Sequence, residues 1–160
     1  MIRFELTVRD LCRDDLRGCE WAGGPGHLDA VAAALTRVGL GEVAYLAACP
    51  PSDLPLAIGG VDFVRHEGSG TLWQLAVHPA VRSCGIGTAL IGGAEQRIRD
   101  RGLDRAELSV EEENTRARAL YERLGYRAYG RAPDEWNVVS PDGTVTRYRT
   151  SCVLMRKVLE

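Results

Sequence analysis

The chain has 160 residues, of which 45% are hydrophobic and 26% are charged, and its formal net charge is -2. This length and balance are typical of one globular domain and exclude a disordered chain. The near-neutral charge provides no global attraction for nucleic acid or acidic lipid, and no apolar run reaches membrane-spanning length. We therefore expect a single domain over residues 1–160, in the cytoplasm, with neither a nucleic-acid nor a membrane partner.

Five cysteines are spread along the chain without any Cys-x-x-Cys pair. An odd number of cysteines at irregular spacing does not fit a disulfide framework or a zinc site. We expect free thiols in a reducing compartment and no metal site. The cysteines are Cys12, Cys19, Cys49, Cys84 and Cys152.

Alternating and apolar segments in the first half of the chain predict four strands. These strands are Ile2–Val8, Val43–Cys49, Leu56–Arg65 and Leu72–Val77. Between the first two, the pattern predicts a short helix within Asp10–Arg17, a break at Trp21–Gly26, and a longer helix over His27–Val38 that Gly39 ends. Glu67–Gly70 predicts a hairpin turn before the fourth strand.

The second half of the chain predicts two helices and three more strands. An apolar stripe from Ile86 to Ile98 predicts a helix that ends at Gly102, and Asn114 is placed to cap a second helix that ends at Gly125. The predicted strands are Arg105–Val110, Tyr126–Gly130 and Tyr148–Arg156, with a turn at Ser140–Gly143. This order predicts an α/β fold with a mixed sheet, helices on both faces, and a parallel strand pair joined by the first of these helices.

A glycine loop, Arg82-Ser-Cys-Gly85-Ile-Gly87, separates the fourth strand from the next helix. Glycines at a helix N-terminus leave backbone N–H groups accessible and favour a phosphorylated ligand. A Walker A loop would need a Lys near Thr88, and the chain has none there. A dinucleotide-binding loop would need a third glycine where Leu90 stands, and it would usually follow the first strand of its unit.

The loop pattern instead resembles the acyl-CoA-binding signature of the GNAT N-acetyltransferase superfamily. A second signature of that family is similar to Asn114-Thr-Arg-Ala-Arg-Ala-Leu-Tyr121, so the resemblance covers Leu72–Gly130. Ser83 and Cys84 depart from the glycine and the basic residue that family loops commonly have there. The resemblance implies a GNAT fold, with a mostly antiparallel sheet of about seven strands that is splayed at its centre around acetyl-CoA.

The resemblance also implies which residues bind acetyl-CoA. Backbone groups of the fourth strand hold the pantetheine amides, loop amides hold the pyrophosphate, and Arg82 and Thr88 add polar contacts. The counterpart of Asn114 in the family touches the pantetheine arm. The predicted cofactor-binding residues are Leu75, Ala76, Val77, Arg82, Ser83, Cys84, Gly85, Ile86, Gly87, Thr88, Asn114 and Tyr121.

Acetyl transfer to an amine requires a neutral nitrogen, a stabilised oxyanion and a proton for the leaving thiolate. The resemblance places Tyr121 near the thioester sulfur as the proton donor, although helical spacing alone favours a core aromatic. Thr71–Gln74 supplies no Glu where many relatives carry a base. Glu111 is the candidate that takes a proton through water or attracts the amine, and an acidic turn that stabilises the next helix explains it equally well. His78 is expected at the surface, and a relay through water without any base stays open.

We expect acceptor recognition from Trp21, beside Glu20, and from Trp136, in an acidic segment that follows the sixth strand. Together they can form an aromatic-walled site for a cation, or they are partly buried tryptophans beside exposed acids. The predicted function is acetyl transfer from acetyl-CoA to a small-molecule or peptide amine by direct attack in a ternary complex. The alternative is a non-catalytic acyl-CoA-binding regulatory module of the same fold. A homodimer is common for this fold, and nothing in the sequence marks an interface.

Overall fold

The computed structural model describes residues 5–160. Contacts divide the chain into two compact units, residues 1–106 with 159–160 and residues 107–158. The single domain over residues 1–160 stays a prediction. None of the helices within the described residues is long and apolar enough to cross a membrane.

The first unit contains a four-stranded sheet in which chain neighbours pair antiparallel. Its strands are β1 (Thr7–Asp10), β2 (Val43–Cys49), β3 (Ala57–Asp62) and β4 (Gly70–Val77). The bounds of β2 are as predicted, whereas residues 2–4 of the predicted first strand lie outside the described residues. β3 ends earlier than predicted because the Asp62 carboxylate accepts the backbone N–H groups of Val64 and Arg65 at 2.9 and 3.1 Å, which turns the chain.

Helices cover both faces of this four-stranded sheet, as predicted. They are a 3-10 helix (Arg13–Ala22), α1 (Pro25–Gly39), a 3-10 turn (Pro79–Val81) and α2 (Ile86–Asp100). On one face, Val31 of α1 packs in a buried cluster with Tyr45 of β2. On the other face, Gly93 of α2 lies so close to Val8 that a Cβ on the glycine would be 2.5 Å from Val8 Cγ1. Val8 pairs with Ala48, which alternates along β2 with the residues that face α1.

The first 3-10 helix is longer than predicted, so the predicted break at Trp21–Gly26 is confined to two glycines before α1. Its start is fixed by Asp15, which accepts the Cys12 N–H at 2.8 Å. The Arg9 guanidinium of β1 binds both oxygens of Asp15 at 2.8 and 2.9 Å and bonds Asp53 at 2.8 Å. The hydrogen bonds from Arg9 lower the pKa of Asp15 to about 2.

A bulge interrupts β4 next to the glycine loop. The pairing register with β3 shifts between Ile58 and Gly60, and Gln74 takes a left-handed conformation with φ 56°. The buried Tyr45 hydroxyl donates to Gln74 Oε1 at 3.0 Å and holds this conformation. Gly60 gives room for the Trp73 ring, since a Cβ there would lie 2.4 Å from the ring. The sequence analysis did not predict this bulge.

The second unit is built on a long β-hairpin. Its elements are β5 (Arg105–Glu111, whose first two residues belong to the first unit), α3 (Thr115–Arg123), β6 (Arg127–Val139) and β7 (Val145–Val158). β7 lies between β5 and β6, and β6 pairs antiparallel with β7. The predicted sixth strand, Tyr126–Gly130, is therefore wrong in length, and the acidic segment expected after it lies within β6. The α/β class with seven, mostly antiparallel, strands is confirmed.

Candidate functional site

The glycine loop joins β4 to α2 through two left-handed residues. After the 3-10 turn, Arg82 is extended, Ser83 has φ 65°, and Gly85 has φ 82° and ψ 4° directly before the helix. Residues other than Gly, Asn and Asp rarely adopt the left-handed conformation, so the turn favours Gly at position 85. Ile86 is 1% exposed and anchors the start of α2, while residues 82–85 are exposed. The loop thus exposes its backbone to solvent, and the buried Ile86 fixes its C-terminal end.

The electrostatics of the loop favour an anion. The first amides of a helix have no intrahelical acceptor, and no side chain caps α2 at Gly85. The first turn of α2 carries no acidic residue, and the Arg82 guanidinium makes no ion pair or hydrogen bond within residues 5–160. A Cβ on Gly85 would meet no atom within 4 Å. The amides, the helix dipole and the guanidinium together form a site that fits a phosphate group.

The end of β4 leads into this loop through the 3-10 turn. Leu75, Ala76 and Val77 are half-buried, unlike the buried start of the strand. On one side, Ala76 pairs with Ile58 and Val77 with Ala57 of β3. The bulge at Gln74 changes the direction of the strand immediately before these three residues. Binding of the pantetheine amides by this segment stays a prediction.

Trp21 ends the first 3-10 helix and lies against the end of β4. Its ring stacks on His78 with centroids 5.3 Å apart, and Trp21 Nε1 is buried with no hydrogen-bond partner among the described residues. His78 is therefore half-buried rather than at the surface as predicted. Its Nδ1 accepts the Ala80 N–H at 3.1 Å, which caps the 3-10 turn before the loop. This hydrogen bond gives His78 a structural role in the turn.

In the second unit, a tight turn brings Glu111 and Asn114 together. The Asn114 N–H donates to the Glu111 carbonyl at 2.9 Å, and the Asn114 side chain accepts the Ala117 N–H at 3.1 Å, as the predicted helix cap requires. Glu111 Oε1 is buried and has no hydrogen-bond partner in the described part of the chain. The neighbouring Glu112 is paired with Arg131. Of these two glutamates, Glu111 is the one with an unused carboxylate oxygen.

Tyr121 lies on α3 with its ring packed edge-on against Tyr126, with centroids 6.3 Å apart. Burial raises the pKa of Tyr121 above its ordinary value, so the hydroxyl keeps its proton at neutral pH. Within residues 5–160 that hydroxyl makes no hydrogen bond. A protonated phenol without an internal acceptor can donate to a ligand.

The sequence analysis missed Tyr148. Trp136 of β6 pairs with Tyr148 of β7, and their ring centroids are 4.8 Å apart. The pKa of Tyr148 is raised, mainly because its hydroxyl hydrogen-bonds with the Glu111 carboxylate. Pairing outward from the predicted turn at Ser140–Gly143 would place Arg147 opposite Trp136. The turn is one residue longer, since the Ser140 N–H donates to the Thr144 carbonyl at 2.8 Å, and this brings Tyr148 opposite Trp136. The sequence therefore carried no signal that identifies Tyr148.

Comparison with known proteins assigns the family. The Acetyltransferase (GNAT) family model matches residues 29–126, more than half of the chain. The chain belongs to this family. The predicted GNAT superfamily is thus confirmed, and the glycine loop and Asn114 lie within the matched region.

Individual relatives agree with this assignment. A mycothiol acetyltransferase of Beutenbergia cavernae is 48% identical over 63 residues, which cover 39% of this chain and only 21% of that protein. The ribosomal-protein-S18-alanine N-acetyltransferase from Escherichia coli has the same fold, with a TM-score of 0.75 at 20% identity over 98% of this chain and 95% of that one. The PaiA N-acetyltransferase from Thermoplasma acidophilum, solved in complex with coenzyme A, has a TM-score of 0.69 at 14% identity over 96% and 99% of the two chains. The GNAT fold is therefore that of this chain.

Proposed function

We propose that this protein is an N-acetyltransferase that moves an acetyl group from acetyl-CoA to a primary amine by direct attack in a ternary complex. The observation that carries the proposal is the glycine loop, whose left-handed Gly85 and unpaired Arg82 fit a pyrophosphate in a chain of the GNAT family. Leu75–Val77 supply backbone groups for the pantetheine amides, and the Asn114 side-chain N–H₂ is free of the cap and can donate to the same arm.

The reaction balances with two side chains of the second unit. The amine nitrogen attacks the thioester carbonyl carbon, and the bond between that carbon and sulfur breaks. Tyr121 donates its proton to the departing thiolate, since burial keeps the hydroxyl protonated. The nitrogen of the new amide then releases its second proton, which returns through water to the Tyr121 phenolate and restores the hydroxyl. The Glu111 carboxylate, whose Oε1 lacks a donor among the described residues, attracts the ammonium form of the acceptor and receives its proton through water before the attack. Contact of the acceptor with Trp21 and with Trp136 stays a prediction.

The test is turnover of a panel of primary amines with acetyl-CoA, followed by thiol release and by the mass of the product. We expect thiol release that depends on the amine and equals the amount of acetylated amine. CoA binding without release for any amine would favour the non-catalytic acyl-CoA-binding module instead.

Gly85→Asp tests the loop itself, because it adds an anion where the phosphate is proposed to bind. Gly143→Asp is the matched control: Gly143 has φ 86°, close to the 82° of Gly85, and neither glycine has an atom within 4 Å of its added Cβ. Gly85→Asp should abolish CoA binding, and Gly143→Asp should retain it. Wild-type CoA affinity in Gly85→Asp would overturn the loop assignment.

A further inference from the structure

One face of the β6–β7 hairpin combines aromatic and acidic side chains. Trp136 pairs with Tyr148 and Asp134 pairs with Thr150, and side chains of paired and alternate residues point to the same side of a strand pair. The two rings are 4.8 Å apart and tilted by 47°, and they are 41% and 40% exposed. This face therefore offers two accessible π-surfaces beside a carboxylate.

The positive charges of the same segment lie on the opposite face. Arg147 and Arg149 both bond Glu135, at 2.6 and 3.1 Å. Because these two arginines are paired with Glu135, they do not neutralise the carboxylate on the aromatic face. Asp134 accepts the Glu135 backbone N–H at 2.8 Å and makes no ion pair within the described residues. The aromatic face is thus locally negative.

Glu111 lies beside β7 at this face, because the N–H of the next residue, Glu112, donates to the Ser151 carbonyl at 3.0 Å. Hydrogen bonding with the Glu111 carboxylate is the main cause of the raised pKa of Tyr148. The pKa of Cys152 is also raised, first by burial and second by the charges of Asp134 and Glu111. Cys152 lies two residues from Thr150 and so on the same face of β7. Glu111 Oε1 stays buried without a donor among residues 5–160, which is unfavourable for a charged oxygen unless a ligand supplies the donor.

Space for a ligand lies directly beside these side chains. A cleft of about 440 Å³ is lined by Pro133, Asp134, Glu135, Arg149 and Thr150. Asp134 and Thr150 belong to the face that carries the two rings, whereas Glu135 and Arg149 belong to the opposite face and are paired with each other, so the cleft touches both faces. A flexible chain that extends from Glu111 along the rings has room to end there.

We propose that the acceptor is a dicationic amine, with its reacting end at Glu111 and its second ammonium group over Trp136 and Tyr148 beside Asp134. A cation over the faces of two aromatic rings is favourable, and a nearby carboxylate adds to it. The second charge gives a diamine affinity that a monoamine of equal length lacks. This inference rests on the proposed acetyl transfer and adds the class of its acceptor.

The test compares a terminal diamine, diaminobutane, with butylamine, which has the same four-carbon chain and one charge. We expect kcat/KM with acetyl-CoA to be roughly tenfold higher for the diamine. Trp136→Leu and Asp134→Asn should each reduce that ratio to within about twofold of unity. Asp142→Asn, which removes an exposed carboxylate from the turn of the same hairpin, is the matched control and should keep the wild-type ratio.

Binding of each amine to the CoA complex, followed by tryptophan fluorescence, separates the two proposals. If neither amine is acetylated but diaminobutane binds roughly tenfold more tightly than butylamine in a manner that needs Trp136, the dication site stands and the transfer proposal fails. If both amines are acetylated with equal kcat/KM, or if the ratio is the same in both hairpin variants as in the wild type, the dication site is wrong and the transfer proposal stands. Equal binding of both amines without turnover overturns both.

Discussion

Replacing Tyr121 by Phe removes a single hydroxyl. We expect this change to leave the stability of the protein nearly unaffected and to lower kcat strongly. The hydroxyl makes no hydrogen bond within the described residues, and the ring contact with Tyr126 remains in the variant. Because no internal hydrogen bond is lost, the free energy of unfolding should change by less than about 1 kcal/mol. If Tyr121 is the general acid, kcat should fall by about a hundredfold, which corresponds to about 2.7 kcal/mol of transition-state stabilisation.

The assay combines three measurements on the same preparation: urea unfolding, acetyl-CoA affinity, and kcat from thiol release at saturating amine. Acetyl-CoA affinity should be unchanged, because the proton is needed only when the thiolate leaves. Burial raises the pKa of Tyr121 above its ordinary value of 10.0, so the wild type should keep its acid form until the pH exceeds that value. The corresponding alkaline decrease in kcat should be absent in the Phe variant.

Tyr45→Phe is the control for the stability measurement, since its hydroxyl is buried and donates to Gln74 at 3.0 Å. Loss of that bond leaves Gln74 Oε1 without its donor and should lower the unfolding free energy by about 1–3 kcal/mol. Wild-type kcat in Tyr121→Phe would remove Tyr121 from the acid role. A loss of stability comparable to that of Tyr45→Phe would refute the claim that the Tyr121 hydroxyl has no structural partner.

Two further predictions concern the first unit. Asp15→Asn should lower the unfolding free energy by about 1–2 kcal/mol at neutral pH, after allowance for solvent screening. Because Arg9 lowers the Asp15 pKa from 3.8 to about 2, the wild type should lose this advantage as the pH falls through that interval, and an unchanged difference at pH 2 would contradict the assignment. In α2, Gly92→Ala meets no atom within 4 Å and should stabilise by up to about 1 kcal/mol, whereas Gly93→Ala places its Cβ 2.5 Å from Val8 and should destabilise by about 1–3 kcal/mol in the same urea titration.

The elements that could be predicted from the sequence are those whose residues carry a local signal. β2 is an apolar run that is buried along almost its whole length, α2 begins directly after Gly85, and both boundaries were predicted correctly. The same holds for the Asn114 cap, whose acceptor and donor are three residues apart. These features depend on periodicity, on backbone conformation or on short-range hydrogen bonds, and each leaves its mark in a few consecutive residues.

The features that were missed depend on partners distant in the chain. The bulge at Gln74 needs the Tyr45 hydroxyl of another strand, although the adjacent glycines of β3 are a sign of close approach. β6 continues to Val139 through Pro133 because β7 pairs with it, while its exposed residues show no buried alternation. Sequence patterns that reflect burial cannot report a strand that is exposed on both faces.

The two halves of the proposed site are therefore specified by different kinds of information. The loop geometry is encoded where it occurs, by Gly85 at φ 82° and the helix that follows it. The acceptor face is encoded by hairpin register, because a slip of one residue would move Trp136 to the face that carries Arg147 and Arg149 and replace attraction of a cation by repulsion. Such a slip would leave every residue of the loop in place. Under the proposed function, acceptor choice can thus diverge through the hairpin while the glycine loop stays the same, which is why the loop predicts the family and the hairpin pairing is needed to propose the acceptor.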